Sequence, residues 1–178
     1  MKKDIEKILL DEKTLAKRIK ELGQEISNDF MGEEIIMIGI LKGSSIFLAD
    51  LARQIDIPVY MDYMVVSSYG NSAQTSGVVR IIKDLEENID GKNIIIVEDI
   101  IDTGLTLSYL RKSLMARNPK SIKICTLLDK PARREAEMVI DYKGFEVPDE
   151  FIIGYGIDYA EKYRNLPYVG ILKREVYE

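Results

Sequence analysis

Histidine is absent from the 178 residues. That removes an imidazole general base, the Ser-His-Asp and Cys-His nucleophile systems and every His-ligated metal site, so any catalysis must run on carboxylates, Lys, Arg, Tyr and hydroxyls. The single cysteine, Cys125, excludes an internal disulfide and a thiolate metal cage, and points to a reducing, cytoplasmic setting. Long apolar runs are missing too. The opening Met1-Lys2-Lys3-Asp4-Ile5-Glu6-Lys7 carries acidic groups without a signal-peptide core, and no later run approaches a membrane span, so no membrane partner is expected. Basic charge is in deficit: 25 Lys and Arg against 30 Asp and Glu leave a net charge of −5. A broad hold on nucleic acid is therefore not expected, and a bound anion must be held by local chemistry. With only 5 Pro and 12 Gly beside 46% hydrophobic residues, the composition fits one folded domain over residues 1–178 rather than a disordered chain.

The residues that are present follow two alternating periods. Leu15, Ile19, Leu22, Ile26 and Phe30 trace the stripe of an amphipathic helix. Glu34 to Leu41 is a short apolar run that reads as a strand; it ends in Lys42-Gly43-Ser44-Ser45 before a helical stretch, Ile46 to Gln54. Pro58 opens a strand to Ser67, and Val78 to Lys83 returns as the second arm of a hairpin whose tip is the small, polar Ser68 to Gly77. Asn93 to Val97 predicts a buried parallel strand, followed by a loop and a helix to about Ala116. Further strands are expected at Ser121 to Leu128, Met138 to Tyr142, Phe151 to Gly154 and Tyr168 to Leu172. Strands alternating with helices predict an α/β fold with a mostly parallel central sheet flanked by helices on both faces.

One segment concentrates chemistry. After the Asn93 to Val97 strand come three carboxylates, Glu98, Asp99 and Asp102, and then Thr103-Gly104-Leu105-Thr106 at a helix start. Ligands of open α/β sheets bind beyond the carboxyl ends of strands, where this loop must lie. Small hydroxylated residues with backbone N–H groups at the positive end of a helix suit a phosphate. Carboxylates cannot attract that anion, so they are expected to serve ribose hydroxyls, Mg²⁺, or a departing proton. Neither G-x-x-x-x-G-K-[ST] nor a strand-following G-x-G-x-x-G is present, which removes the main support for a P-loop or dinucleotide-binding reading.

The run Val97 to Thr106 resembles the phosphoribosyl-diphosphate (PRPP) signature of the type I phosphoribosyltransferases. Leu41-Lys42-Gly43-Ser44, Ser68-Tyr69-Gly70, Leu128-Asp129-Lys130-Pro131, and Val147 to Tyr155 with Asp158-Tyr159 and Arg164 narrow the resemblance to the bacterial hypoxanthine-guanine phosphoribosyltransferases. It covers about residue 5 to residue 175, with the motifs in family order. The resemblance implies that fold, with a small hood built from about 148–157 and the chain ends. It also implies purine salvage: Mg²⁺-dependent transfer of 5-phosphoribosyl from PRPP to N9 of hypoxanthine or guanine, giving IMP or GMP and pyrophosphate.

Residue by residue, it implies that Thr103, Gly104, Leu105 and Thr106 cradle the 5′-phosphate, although Leu105 stands where several relatives carry Lys. Glu98 and Asp99 serve the ribose hydroxyls and Mg²⁺, and Asp102 is the general base. Lys42, Gly43 and Arg164 hold pyrophosphate, Lys42 following an unusual cis peptide in the family, and Ser44 replaces the Gly of some relatives. Lys130, Phe151, Ile152 and Asp158 form the purine site, Asp158 also touching a second Mg²⁺, and Ser68 with Tyr69 form a lid. A Lys ammonium can only donate, so Lys130 favours the carbonyl of a 6-oxopurine over the amino group of adenine. A homodimer or homotetramer is expected. Two other readings share the fold: a phosphoribosyltransferase for xanthine or a pyrimidine, and a PRPP-sensing regulator that binds nucleic acid. The lack of a winged-helix extension and of a basic patch counts against the regulator.

Overall fold

The computed structural model describes residues 1–68 and 79–178. Its centre is a six-stranded sheet in the order β4-β3-β2-β5-β6-β7. The strands are β2 (Ile35–Leu41), β3 (Val59–Ser68), β4 (Val79–Lys83), β5 (Asn93–Ile101), β6 (Ser121–Asp129) and β7 (Tyr142–Glu146). All neighbours run parallel except the edge strand β4, which lies antiparallel to β3.

Successive side chains of a strand leave on opposite faces, and both faces here are apolar. Ile35, Met37, Ile95, Val97, Cys125 and Leu127 pack beneath α1 (Glu12–Asp29) and α2 (Ser45–Ala52). Ile36, Ile38, Ile40, Ile94, Ile96 and Ile124 pack beneath α3 (Leu105–Met115), through Leu107, Leu110 and Leu114. Burying such side chains contributes roughly 1.5–3 kcal/mol each. The helical stripe on α1 is real: Leu15, Ile19, Leu22 and Ile26 are all buried, and Asp11 caps the helix by accepting the Thr14 N–H at 2.8 Å.

The chain leaves β2 toward β3 on one side and leaves β5 toward β6 on the other. The two loops part in opposite directions, opening a crevice at the carboxyl ends of β2 and β5, where ligands of such sheets bind. The ladder explains why it is open. β2 and β5 pair only as far as Gly39 and Val97, whereas β5 and β6 pair on to Ile101 and Asp129. Glu98 to Ile101 thus run past β2 with one edge unpaired.

A second, antiparallel sheet of order β1-β9-β8 stands over this crevice as a hood. It joins β1 (Ile5–Leu10), β8 (Ile152–Ile153) and β9 (Val169–Leu172), and is followed by the short α4 (Arg174–Tyr177). Ile5 lies opposite Leu172.

Three expectations need correction. The carboxylates Glu98 and Asp99 are strand residues, since β5 continues to Ile101 and the loop begins only at Asp102. The strand expected at Met138 to Tyr142 lies at Tyr142–Glu146. Met138 and Ile140 supply the alternation by packing against the α3 core, but the first contact with β6 comes at Asp141, whose N–H donates to the Ile124 carbonyl at 3.0 Å while its Oδ2 accepts the Ile124 N–H at 2.8 Å. The strands near 151–154 and 168–172 are β8 and β9 of the hood sheet. β1 is not expected at all, because Lys7 breaks the alternation between Ile5 and Leu9, and two register shifts interrupt its pairing.

Candidate active site

Three segments meet at the crevice. β2 ends at Leu41, the Leu41–Lys42 peptide is cis, and Gly43 follows it. Ser44 is fully buried and its hydroxyl donates to the Ile40 carbonyl at 2.7 Å, closing the loop onto its own strand. A Cβ on Gly43 would overlap the Asp99 carboxylate, and a Cβ on Gly156 would overlap the Gly43 carbonyl. Gly156 also has φ +100°, a region L side chains rarely enter. Gly156→Ala is therefore expected to lower unfolding stability by about 1–3 kcal/mol. A urea titration checks this, and an unchanged midpoint would mean that the hood loop yields freely to a methyl group.

The two adjacent carboxylates are half-buried on the unpaired end of β5. Burial pushes Asp99 up to about 6, reinforced by the negative Asp158; the Ile100 and Asp99 N–H groups and Arg164 pull the other way. Glu98 is raised well above the usual carboxylate range by burial and then by Asp99. Among the described residues no cation offsets Glu98.

Immediately downstream the backbone turns at Gly104, φ +80°, and α3 begins. The Thr103 carbonyl accepts the N–H groups of Glu135 and Ala136 at 2.9 and 3.1 Å, which pins the turn. The first N–H groups of α3 point outward from the positive end of the helix. Here Glu98, Asp102, Thr103, Gly104 and Thr106 line a cavity of about 150 Å³.

A second cavity, of about 480 Å³, lies under the hood. It is lined by Asp102, Lys130, Phe151, Ile152, Ile157 and Asp158, among others. Lys130 is buried, 7% exposed, and its ammonium donates to the Glu150 carbonyl at 3.0 Å, with the Asp149 carboxylate at 3.8 Å. Of the residues that line both cavities, Ile100 and Asp102, only Asp102 can exchange a proton. Its Oδ1 is buried without a hydrogen-bond partner among the described residues, which is costly for a carboxylate unless a ligand supplies one.

The cations form a third group. Arg164 donates to the Gly156 carbonyl at 2.8 Å and pairs with Asp158 at 2.8 Å. Lys42, largely exposed, pairs with Glu161 at 3.0 Å, and the same Glu161 oxygen lies 3.7 Å from Arg164. The structure therefore brings Lys42, Gly43, Asp99, Asp158 and Arg164 to one rim. Among the described residues no three acidic or thiol ligands converge on one point, so Glu98, Asp99 and Asp158 make no preformed metal cage. Ser68 ends β3 and Tyr69 lies outside the described residues, so the expected lid pair falls at and beyond that boundary.

Sequence reasoning missed Gly156, Ile157, Glu161, Arg174 and Tyr177. The Gly154-x-Gly156 spacing is a visible signal for the first. The others come to the site only through the hood's long-range pairing, which residue types do not announce.

Residues 6–160 match the family model described as the phosphoribosyl transferase domain. The hypoxanthine-guanine phosphoribosyltransferase of Bacillus subtilis is 56% identical over 178 residues, covering 100% of this chain and 99% of the relative. That of Mycobacterium tuberculosis is 48% identical, covering 98% and 90%. A crystal structure of a hypoxanthine phosphoribosyltransferase from Staphylococcus aureus superposes with a TM-score of 0.97 at 46% identity, covering 100% of this chain and 97% of that one. No helix of the described residues is long and apolar enough to cross a membrane. The crevice at the strand ends, the small pocket at the start of α3 and the full-length similarity agree: the chain belongs to the phosphoribosyltransferase family, on its hypoxanthine-guanine branch.

Proposed function

We propose that the chain transfers the 5-phosphoribosyl group of PRPP to N9 of hypoxanthine or guanine, releasing pyrophosphate and forming IMP or GMP. The observation that carries this reading is Asp102, the one titratable side chain common to the small cavity at the start of α3 and the larger one under the hood. The first suits a 5′-phosphate, bound by the backbone N–H groups of Thr103 to Thr106 at the positive helix end. The second suits a purine, with Lys130 donating to the 6-carbonyl, Phe151 offering a ring, and Ile152 contributing backbone.

In the reaction the C1–O bond to the diphosphate breaks and the C1–N9 bond forms. Asp102 accepts the proton from N7, and its unpartnered Oδ1 is free to do so. Lys42 and Arg164 hold the leaving diphosphate, and Gly43 lets its backbone approach. Both cations already sit on carboxylates, so the ligand's oxygens must displace Glu161 and compete with Asp158. Glu98 and Asp99 face the ribose hydroxyls. They also suit Mg²⁺: both are oxygen donors, no cation among the described residues offsets Glu98, and this ion needs only one or two carboxylates because water and substrate oxygens complete its shell. When bound, Mg²⁺ supplies neutralisation of the diphosphate charge. Asp158, held by Arg164, is a weaker candidate ligand than the β5 pair. The single unpaired Cys125 is in keeping with a cytoplasmic location, and the homodimer or homotetramer of the family reading is carried as part of the proposal.

Product formation from PRPP and Mg²⁺ with hypoxanthine, guanine, xanthine, adenine or uracil tests the reading. Hypoxanthine and guanine are expected to react and adenine and uracil to fail. No product from any base would overturn it in favour of a PRPP-binding regulator.

A further inference from the structure

The Phe151 ring is already in contact with another aromatic. Tyr177 lies against it with ring centroids 4.5 Å apart and 24° between the planes, while Tyr159 meets it edge-on at 5.3 Å. Tyr177 sits on α4, which is tied to the hood by the Lys173 N–H donating to the Asp4 carbonyl at 3.0 Å and by Val176 packing into the hood cluster. Tyr177 also lines the cavity that holds Asp102, Lys130 and Phe151.

We propose that Tyr177 is a positioning residue for the purine: by stacking on Phe151 it fixes the plane against which the base is laid. The inference rests on the assignment of Phe151 to the base site. A Phe ring has no polar anchor and turns broadly about its last torsion. If the ring were loose, the base would bear the cost of ordering it on binding; a ring held by Tyr177 is ordered on folding instead. The offset, nearly parallel contact lies in the range where aromatic pairs attract beyond their buried area. Because the contact is made by the ring face, Phe at position 177 should serve as well as Tyr.

Steady-state kinetics of Y177A, Y177F and F151A, varying hypoxanthine and PRPP in turn, test this, with thermal melting to confirm folding. Y177A is expected to raise the hypoxanthine KM roughly two- to tenfold. Its kcat and PRPP KM should stay within about twofold, and Y177F should restore the hypoxanthine KM. The proposal is overturned by a Y177A hypoxanthine KM that is unchanged or lower, a lower value meaning that the ring occupies the base's own place. A parallel rise in both KM values overturns it as well, since that would be loss of structure alone. F151A should raise the hypoxanthine KM in either case; if it does not, the base-site assignment itself fails, whatever Y177A does.

Discussion

Replacing Asp102 by Asn is expected to lower kcat by roughly 10²- to 10⁴-fold, the usual worth of a positioned general base. The PRPP KM should move by no more than about threefold, because in the proposed complex the phosphate is held by backbone N–H groups that the substitution leaves in place. Asn matches Asp in shape but cannot take a proton at neutral pH. In a chain without His, no imidazole is available to replace it. The substitution should fold normally, since Oδ1 has no internal partner to lose. Full turnover in Asp102→Asn, measured under saturating substrates, would remove Asp102 from the mechanism.

The second large effect concerns Lys130. Lys130→Ala is expected to lower kcat/KM for hypoxanthine roughly 10- to 100-fold, the value of a charge-assisted hydrogen bond in a buried setting. Its preference for hypoxanthine over adenine should collapse at the same time, since on the proposed reading the ammonium is the donor that favours a carbonyl over an amino group at the 6-position. The wild-type ammonium spends one donor on the Glu150 carbonyl and has others left for a base. Lys130→Met, which keeps most of the volume, separates charge from packing: it should lose the same preference. An alanine variant that still discriminated against adenine would place recognition elsewhere in the cavity.

The central sheet was legible because its strands are buried on both faces. Asn93 to Val97 and Ile35 to Leu41 therefore announce themselves as short apolar runs. The carboxylates beyond Val97 were legible as chemistry but misread as loop, because charge inside a strand contradicts the pattern of a buried one. The ladder resolves that conflict: β5 loses its β2 partner at Val97, so its end is strand by β6 pairing and open by the lack of β2 pairing. What sequence could not give is the geometry between distant segments. Gly43 and Gly156 touch across 113 positions, and nothing local to either reports the other. The hood was foreseen only through resemblance, since β1 carries Lys7 where alternation between Ile5 and Leu9 would place an apolar residue.

The pairing of Ile5 with Leu172 has a consequence for the order in which the site comes into being. The cavity proposed for the phosphate draws its lining from residues 98–107, a stretch that can form as soon as β5 and α3 dock. The cavity proposed for the base depends on a ladder that joins nearly the whole length of the polypeptide, the most entropically demanding contact in the molecule. The two halves of the site therefore differ in local stability, and gentle destabilisation should release the purine half first. The enzyme would then still grip a phosphate while having no place to put a base.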